Sequence, residues 1–434
     1  MHINILILFF GYALFLPSWL TADDWNQWRG NHRDGVWTES GIIDSFTPAD
    51  VKPLWTKSIG SGYSSPTVAD GRVFVMDYSK EKSEESIRCF DALTGKPIWT
   101  HSYATDYRIS YDAGPRSAVT LDEKIAYSFG AMGQLICLNA DDGKVIWERD
   151  LNEDYQIVAS KRMPIWGMSC SPLIWKDNLI LQVGAKQAGI VALNKSTGKE
   201  IWRSTTDRGH YSSPVLTKQN GKSVVVCWTG DAIVGLNPDN GIAYWRYLLP
   251  PSRMPIGVAT PIIQQNRIFV TSFYDGSALI EMTDNMGIRE VWRKVGPNER
   301  RTQGLHSIIS TPIWLDECIY GVDSYGELRC LDASNGQRLW EDKSIVPTQR
   351  WGTVHFVKND DNIWMFNEVG ELMVGSLTPK GMQIDSRVKV LEPDQMRSRN
   401  RQDGVCWSHP AFANQCVYLR NDSKLVCINL AKKD

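Results

Sequence analysis

From about residue 54 onward the chain is a succession of short apolar segments separated by Asn, Asp and Gly. Val73 to Met76 follows Asp70-Gly71, and Ile268 to Thr271 follows Asn266. Apolar and polar positions alternate within such segments, which predicts β-strands bounded by tight turns.

One pattern recurs in fixed register. Asp or Asn leads, Gly follows four positions later, and Trp follows four positions after that. It runs Asp91-Gly95-Trp99, Asn139-Gly143-Trp147, Asn194-Gly198-Trp202, Asn237-Gly241-Trp245 and Asp332-Gly336-Trp340. The carboxylate or amide can bond backbone groups within the turn, and Gly supplies a left-handed position. The Trp then lies on the outgoing strand as a large anchor between neighbouring sheets. A second marker opens each repeat, a small polar residue, Pro, then an apolar strand. Examples are Ser65-Pro66, Gly114-Pro115, Ser171-Pro172, Ser213-Pro214, Thr260-Pro261, Thr311-Pro312 and His409-Pro410. Proline suits the first position of a strand.

Counting both markers predicts an all-β fold, an eight-bladed β-propeller of four-stranded antiparallel blades. Inner strands start near residues 66, 115, 172, 214, 261, 312, 354 and 410. Outer strands fall at Trp55, Trp99, Trp147, Trp202, Trp245, Trp292, Trp340 and, without the Trp, near Ile384. The last repeat, Cys416 to Leu430, has no outer strand of its own, so the strand at Leu54-Trp55 is expected to close the final blade and remove exposed edges. The chain divides into a signal peptide (1–22), an extension lying on the propeller surface (23–53) and a single propeller domain (54–434). Trp25 and Trp28 are too apolar for a free tail and should be docked.

Composition narrows the setting. The first residues are apolar from Ile3 to Leu16, followed by Pro17-Ser18 and Leu20-Thr21-Ala22, which reads as a leader cleaved near Ala22. A periplasmic or secreted monomer is expected, with no membrane span after leader removal. Net charge is −2 with no long basic run, so nucleic acid is not an expected partner. Nine cysteines form no zinc spacing. Cys89, Cys137, Cys330 and Cys427 share one repeat position, as small buried strand residues would, and Cys318 and Cys416 share another.

The segment Asp-Ala-Leu-Thr-Gly-Lys-Pro-Ile-Trp (91–99) resembles the tryptophan-docking repeat of the pyrroloquinoline quinone (PQQ) propeller superfamily, and the resemblance covers about residues 54–430. The opening Asp24-Trp25-Asn26-Gln27-Trp28-Arg29-Gly30 resembles the lead-in of a secreted planctomycete-type subgroup of PQQ-like propellers. The outer-membrane assembly lipoprotein BamB is similar in repeat and blade number, although this chain lacks its lipidated Cys near the cleavage point. The resemblance also implies PQQ with Ca²⁺ as a possible cofactor, as in quinoprotein alcohol dehydrogenases. Those enzymes stack the quinone against a disulfide of adjacent cysteines, and no two cysteines are adjacent here. His-Glu-x-x-His, Gly-x-Ser-x-Gly and phosphate-loop motifs are absent.

The loops feeding the inner strands hold the candidate chemistry. They are richer in positive charge than the chain as a whole, notably at Arg293, Lys294, Arg300 and Arg301, and again at Arg397, Arg399 and Arg401. Local pairing with acidic neighbours and an anion-attracting face are both consistent with this excess. A ligand-binding funnel is expected at Tyr63, Asp112, Arg116, Trp166, Tyr211, His306, Trp351, Trp407 and His409. Asp112 is expected to orient Arg116, whose planar fork suits a carboxylate. The sequence therefore favours a non-catalytic binding or scaffold propeller of the cell envelope, taking an anionic small molecule or acidic glycan. The alternatives are a PQQ-dependent alcohol or sugar dehydrogenase and a BamB-like module that grips an envelope protein.

Overall fold

The computed structural model describes residues 23–111, 113–394 and 404–433. The expected leader, Asp112, and Arg397, Arg399 and Arg401 lie outside the described residues. Thirty-two strands form eight four-stranded antiparallel sheets arranged as a propeller. Blade 1 runs from Thr67–Ala69 to Pro97–Ala104, blade 2 from Thr120–Asp122 to Val145–Asp150, and blade 3 from Leu173–Trp175 to Glu200–Ser204. Blades 4 to 7 begin at Val215–Gln219, Ile262–Gln264, Ile313–Leu315 and Val354–Asn359. Blade 8 takes Ala411–Ala413, Cys416–Arg420 and Lys424–Asn429 from the C-terminal end, and Pro53–Ser58 closes it by pairing with Lys424–Asn429.

The recurring Trp joins each blade to the next. At Trp55, Trp99, Trp147, Trp202 and Trp292 the indole N–H donates to the carbonyl of the residue after the turn-opening Asp or Asn in the following blade, whereas Trp245 donates to Gln219 Oε1 of its own blade and Trp340 to Thr378 O of blade 7. Trp99 reaches Ala140 O at 2.9 Å, Trp202 reaches Pro238 O at 3.2 Å and Trp292 reaches Ala333 O at 2.9 Å. Trp55 makes the same bond to Ala92 O at 2.9 Å across the seam between the two chain ends. The ring lies flat against the turn glycine. A Cβ at Gly143, where φ is +72°, would stand 2.7 Å from Trp99, so the position excludes a side chain for two independent reasons. Within each blade the Trp faces a third-strand residue, and Cys89, Cys137, Cys330 and Cys427 are four of these partners. All nine cysteines are buried free thiols.

The pattern fails where the physics requires it to fail. Blade 8 has chain ends in place of an outer turn, so blade 7 has nothing to dock on, and Ile384 stands opposite Gly375 where a Trp would be. Phe46 of the extension fills the gap by stacking on Trp364, with ring centroids 5.7 Å apart, and its N–H donates to Ser386.

The small polar residues before the strand-leading prolines also have a cause. Around the channel Ala118 N–H donates to Ser171 Oγ, Ser171 N–H to Ser213 Oγ and Thr260 N–H to Thr311 Oγ1, so each hydroxyl ties its inner strand to the preceding blade. This register corrects the start of blade 2. Gly114-Pro115 belongs to the loop, and Val119 occupies the position that Pro holds elsewhere, because the strand begins at Thr120.

The extension does not simply lie on the surface, as expected from sequence; it enters the channel. Trp25 pairs with Val68 of blade 1, Leu121 N–H of blade 2 donates to Asn26 O, and Trp28 Nε1 donates to Thr260 of blade 5. Arg33 is fully buried and donates to Ser171 O and Pro214 O at 3.1 and 3.0 Å, to Pro172 O, and to Gln27 Oε1. Val36 bridges to Lys358 of blade 7. One short segment thus touches inner strands on opposite sides of the ring and obstructs the channel.

Removing the seam anchor should be costly. Trp55→Ala is expected to lower unfolding stability by about 3–5 kcal/mol in urea denaturation, as for a buried aromatic whose partner groups remain. A loss below about 1 kcal/mol would show that the seam does not depend on the dock.

Candidate functional site

On the side of the channel where loops feed the inner strands there is a cavity of about 120 Å³. Every blade contributes to its wall: Tyr63 leads into blade 1, Tyr111 and Arg116 into blade 2, Trp166 and Ser169 into blade 3, and Tyr211 and Ser213 into blade 4. Val258, then Ile308 and Ile309, then Trp351, then Trp407 and His409 complete the ring, and Trp28 of the extension joins them. The aromatic rings form a continuous wall. Centroid separations are 5.7 Å for Tyr63–Trp407, 6.2 Å for Trp407–Trp351, 6.0 Å for Trp351–Trp166 and 5.1 Å for Trp166–Tyr211. Tyr111 packs against both Trp166 and Trp351. Tyr111 and Trp351 hold φ of +56° and +69°, which is unfavourable for bulky side chains. Such strain, kept at two residues of one cavity, is typical of a site in which side-chain placement has a use.

Of the nine expected residues, the structure brings seven together: Tyr63, Arg116, Trp166, Tyr211, Trp351, Trp407 and His409. Asp112 lies outside the described residues, and Arg116 is held by other groups. Its guanidinium donates to the carbonyls of Gly114, Ser110 and Tyr111, and it lies over the Tyr63 ring at 5.5 Å. Arg116 therefore clamps its own loop. It stands on that loop rather than at the start of the inner strand, since the strand begins four residues later. His306 is a correction. It is fully buried between blades 5 and 6, with Nδ1 against Phe273 O at 3.1 Å and Nε2 accepting from Gly296 N–H at 3.2 Å. Blade 6 presents Ile308 and Ile309 instead.

A signal for the missed positions does exist. Tyr63, Ser169, Tyr211, Val258, Ile309 and Trp407 each stand three residues before the strand-leading Pro, and Arg116 stands three before its equivalent, Val119. Selecting aromatic and ionisable types passed over Val258 and Ile309, which are in register but chemically plain. Trp28 had no local signal, because it arrives from a segment distant in sequence.

The site is electrostatically quiet. His409 Nδ1 faces Pro410 O at 2.7 Å, while its Nε2 is a buried atom without a hydrogen-bond partner. Burial, with the neighbouring His355 and Arg29, holds its pKa well below the ordinary value, so the ring is neutral. With Nδ1 donating to that carbonyl, Nε2 is an acceptor. His355, whose ring lies 5.0 Å from that of His409, is lowered to about 4 by burial. Trp407 is oriented by a 3.1 Å bond to Glu368, which sits behind the wall. At the outer rim, Glu299 pairs with Arg350 at 3.2 Å, and Arg300 lies over the Tyr325 ring at 4.7 Å.

A family model described as outer membrane protein assembly factor BamB matches residues 36–104 and 83–342. The chain belongs to that family. Its repeats are those of the PQQ-like propellers. The BamB of Shewanella oneidensis is 25% identical over 67% of this chain and 71% of its own length. The quinoprotein alcohol dehydrogenase PedH of Pseudomonas putida is 28% identical, but over 37% of this chain and 27% of its own. Among solved structures, BamB from Moraxella catarrhalis aligns with a TM-score of 0.59 at 16% identity, covering 87% of this chain and 99% of that one. A europium-containing methanol dehydrogenase aligns at 0.66 with 12% identity, covering 94% and 98%. At such identities the structural likenesses establish the fold. Family membership is consistent with a place in the cell envelope. No helix among the described residues is long and apolar enough to cross a membrane.

The described lining residues of the cavity do not fit the calcium of a quinone–calcium pair. A hard cation takes six to eight oxygen ligands, largely carboxylate and amide. None of the described lining residues is Asp, Glu, Asn or Gln, and none is Cys.

The buried histidines set a pH dependence. The folded pKa of His355 lies near 4, against 6.5 when free, so its contribution to stability is complete above pH 6.5. It is lost as pH falls toward 4, because the unfolded chain takes up the proton first. His355→Gln is expected to flatten the stability profile over this window in urea unfolding at successive pH values. A variant profile parallel to the parent's would contradict the assignment.

Proposed function

We propose that the protein is a non-catalytic binding module of the cell envelope, and that its aromatic cup takes a ring of a small ligand, most simply the acidic end sugar of a glycan. The observation that carries this reading is the wall itself. Seven aromatic side chains surround one cavity, with Ser169, Ser213 and His409 among them. Aromatic faces suit the C–H faces of a sugar, and scattered hydroxyls suit its polar edge. Arg116 supplies the one positive charge among the lining residues, so a carboxylate on the ring is favoured over a neutral one.

Catalysis receives less support. Proton transfer near neutral pH needs a group poised near that pH, whereas burial holds His409 neutral, its pKa well below that range. A second reading has its own observation. Family membership, together with an outer rim where Arg300 and Arg253 stack on Tyr325 and Tyr274, favours contact with an acidic envelope protein.

Titrating tryptophan fluorescence with oligosaccharides ending in glucuronate or glucose tests the first reading. Saturable quenching is expected, tighter for glucuronate. Trp166→Ala and Trp351→Ala should each weaken binding by about two- to tenfold, the value of one ring contact. Arg116→Ala should abolish the preference for the acidic sugar. Absence of saturable quenching by either sugar would overturn the proposal, and a response to acidic peptides alone would favour the second reading.

A further inference from the structure

The opposite end of the channel holds a second, larger recess. The extension occludes that mouth beside blades 1, 2, 3 and 8 but leaves a vestibule of about 350 Å³ against the inner strands of blades 4, 5 and 6. Its residues lie at the far ends of those strands, where Leu216, Ile263 and Trp314 form an apolar wall. Arg29, Arg33, His32 and Lys358 gather on the other side, with Asp34 as the one carboxylate.

The charges there are unusual. Arg29 and Arg33 are 1% and 2% exposed, and neither forms an ion pair with a carboxylate among the described residues. Buried charges are ordinarily paired, because desolvation without a counter-charge is costly. Arg33 is satisfied by carbonyl and amide oxygens. Arg29 uses its terminal nitrogens on Arg33 O and Asp34 O, and its Nε–H has no partner. Lys358 is half-buried and His32 exposed at the same recess. Burial lowers Arg29 to about 10 and Arg33 to about 9, so both remain charged at neutral pH. The recess thus combines an excess of positive charge, a buried guanidinium with an unpartnered Nε–H and an apolar wall.

We propose that this vestibule binds a small organic anion, with a carboxylate or phosphate head against Arg29 and Lys358 and an apolar stem along Leu216, Ile263 and Trp314. The head supplies the missing counter-charge, and the low-dielectric surroundings of the arginines strengthen the attraction. The site is distinct from the aromatic cup. Trp28 borders the cup while the adjacent Arg29 borders the vestibule, so the extension separates the two.

Calorimetric titration of the full chain with octanoate, octyl phosphate and inorganic phosphate tests this. Octanoate or octyl phosphate should bind saturably, and the tighter of the two identifies the head. Inorganic phosphate should bind at least about tenfold more weakly, since it lacks the stem. Lys358→Met, at a half-buried position of the recess, should weaken binding about tenfold or more, the value of one charge-assisted hydrogen bond. Arg116→Ala, at the cup, should leave it unchanged. Three results would overturn the proposal: no saturable binding of either octyl compound, equal affinity in Lys358→Met, or loss in Arg116→Ala, which would move the anion to the cup. The first two do not depend on whether the cup binds sugar.

Discussion

The structure depends on one repeated contact, an indole laid on the glycine turn of the next blade with its N–H on the following carbonyl. Each blade exposes an apolar face that it cannot bury alone, and neighbouring blades bury it for one another. The dock fixes how far each blade turns relative to the last. It needs Gly because the turn is left-handed and because the ring leaves no room for a Cβ. Most of the residues opposite the Trp are small, Cys89, Cys137, Cys330 and Cys427 with Ala192 and Gly235, while Leu279 faces Trp292. Where the chain ends meet, the same contact from Trp55 closes the ring, and the extension's Phe46 serves where no dock is possible.

Closure creates a channel, and the extension divides it. A segment of modest length reaches inner strands on opposite sides because those strands converge at the axis. Arg33 is the anchor, since its donors reach carbonyls of blades 3 and 4 at once. Inner-strand carbonyls would otherwise face a narrow water-filled space, and a guanidinium satisfies several of them with one side chain. The consequence is two recesses of different character, one aromatic and nearly uncharged, the other basic with an apolar wall.

The aromatic cup is built from loops, yet it rests on rigid parts. Each contributing residue stands a fixed few positions from an inner strand, and those strands are tied together by the ring of hydroxyl bonds. Tyr111 and Trp351, both at positive φ, pack their rings against each other in the wall of the cup. The neutral His355 and His409 belong to the same design, because burial away from water keeps them unprotonated and preserves Nε2 of His409 as an acceptor.

The fold was legible in the primary structure because the dock is local. Asp or Asn, Gly and Trp lie within nine residues, and that spacing, counted together with the strand-leading Pro, indicated blade number and closure at Trp55. Much of the cup was legible for a related reason, since its residues keep a register with the strand-leading Pro. Side-chain direction was not. His306 lies as near a strand start as its neighbours, yet packing between two blades turns it inward, and plain residues such as Ile309 face the cavity in its place. The loop around Arg116 misled because Gly114-Pro115 imitates the strand marker, while carbonyls three-dimensionally close to the guanidinium decide what it holds. The extension was beyond reach. Its contacts with blades 3, 4, 5, 7 and 8 join residues 138 to 376 positions apart, and no local spacing encodes which carbonyls will converge at the axis once the ring has closed.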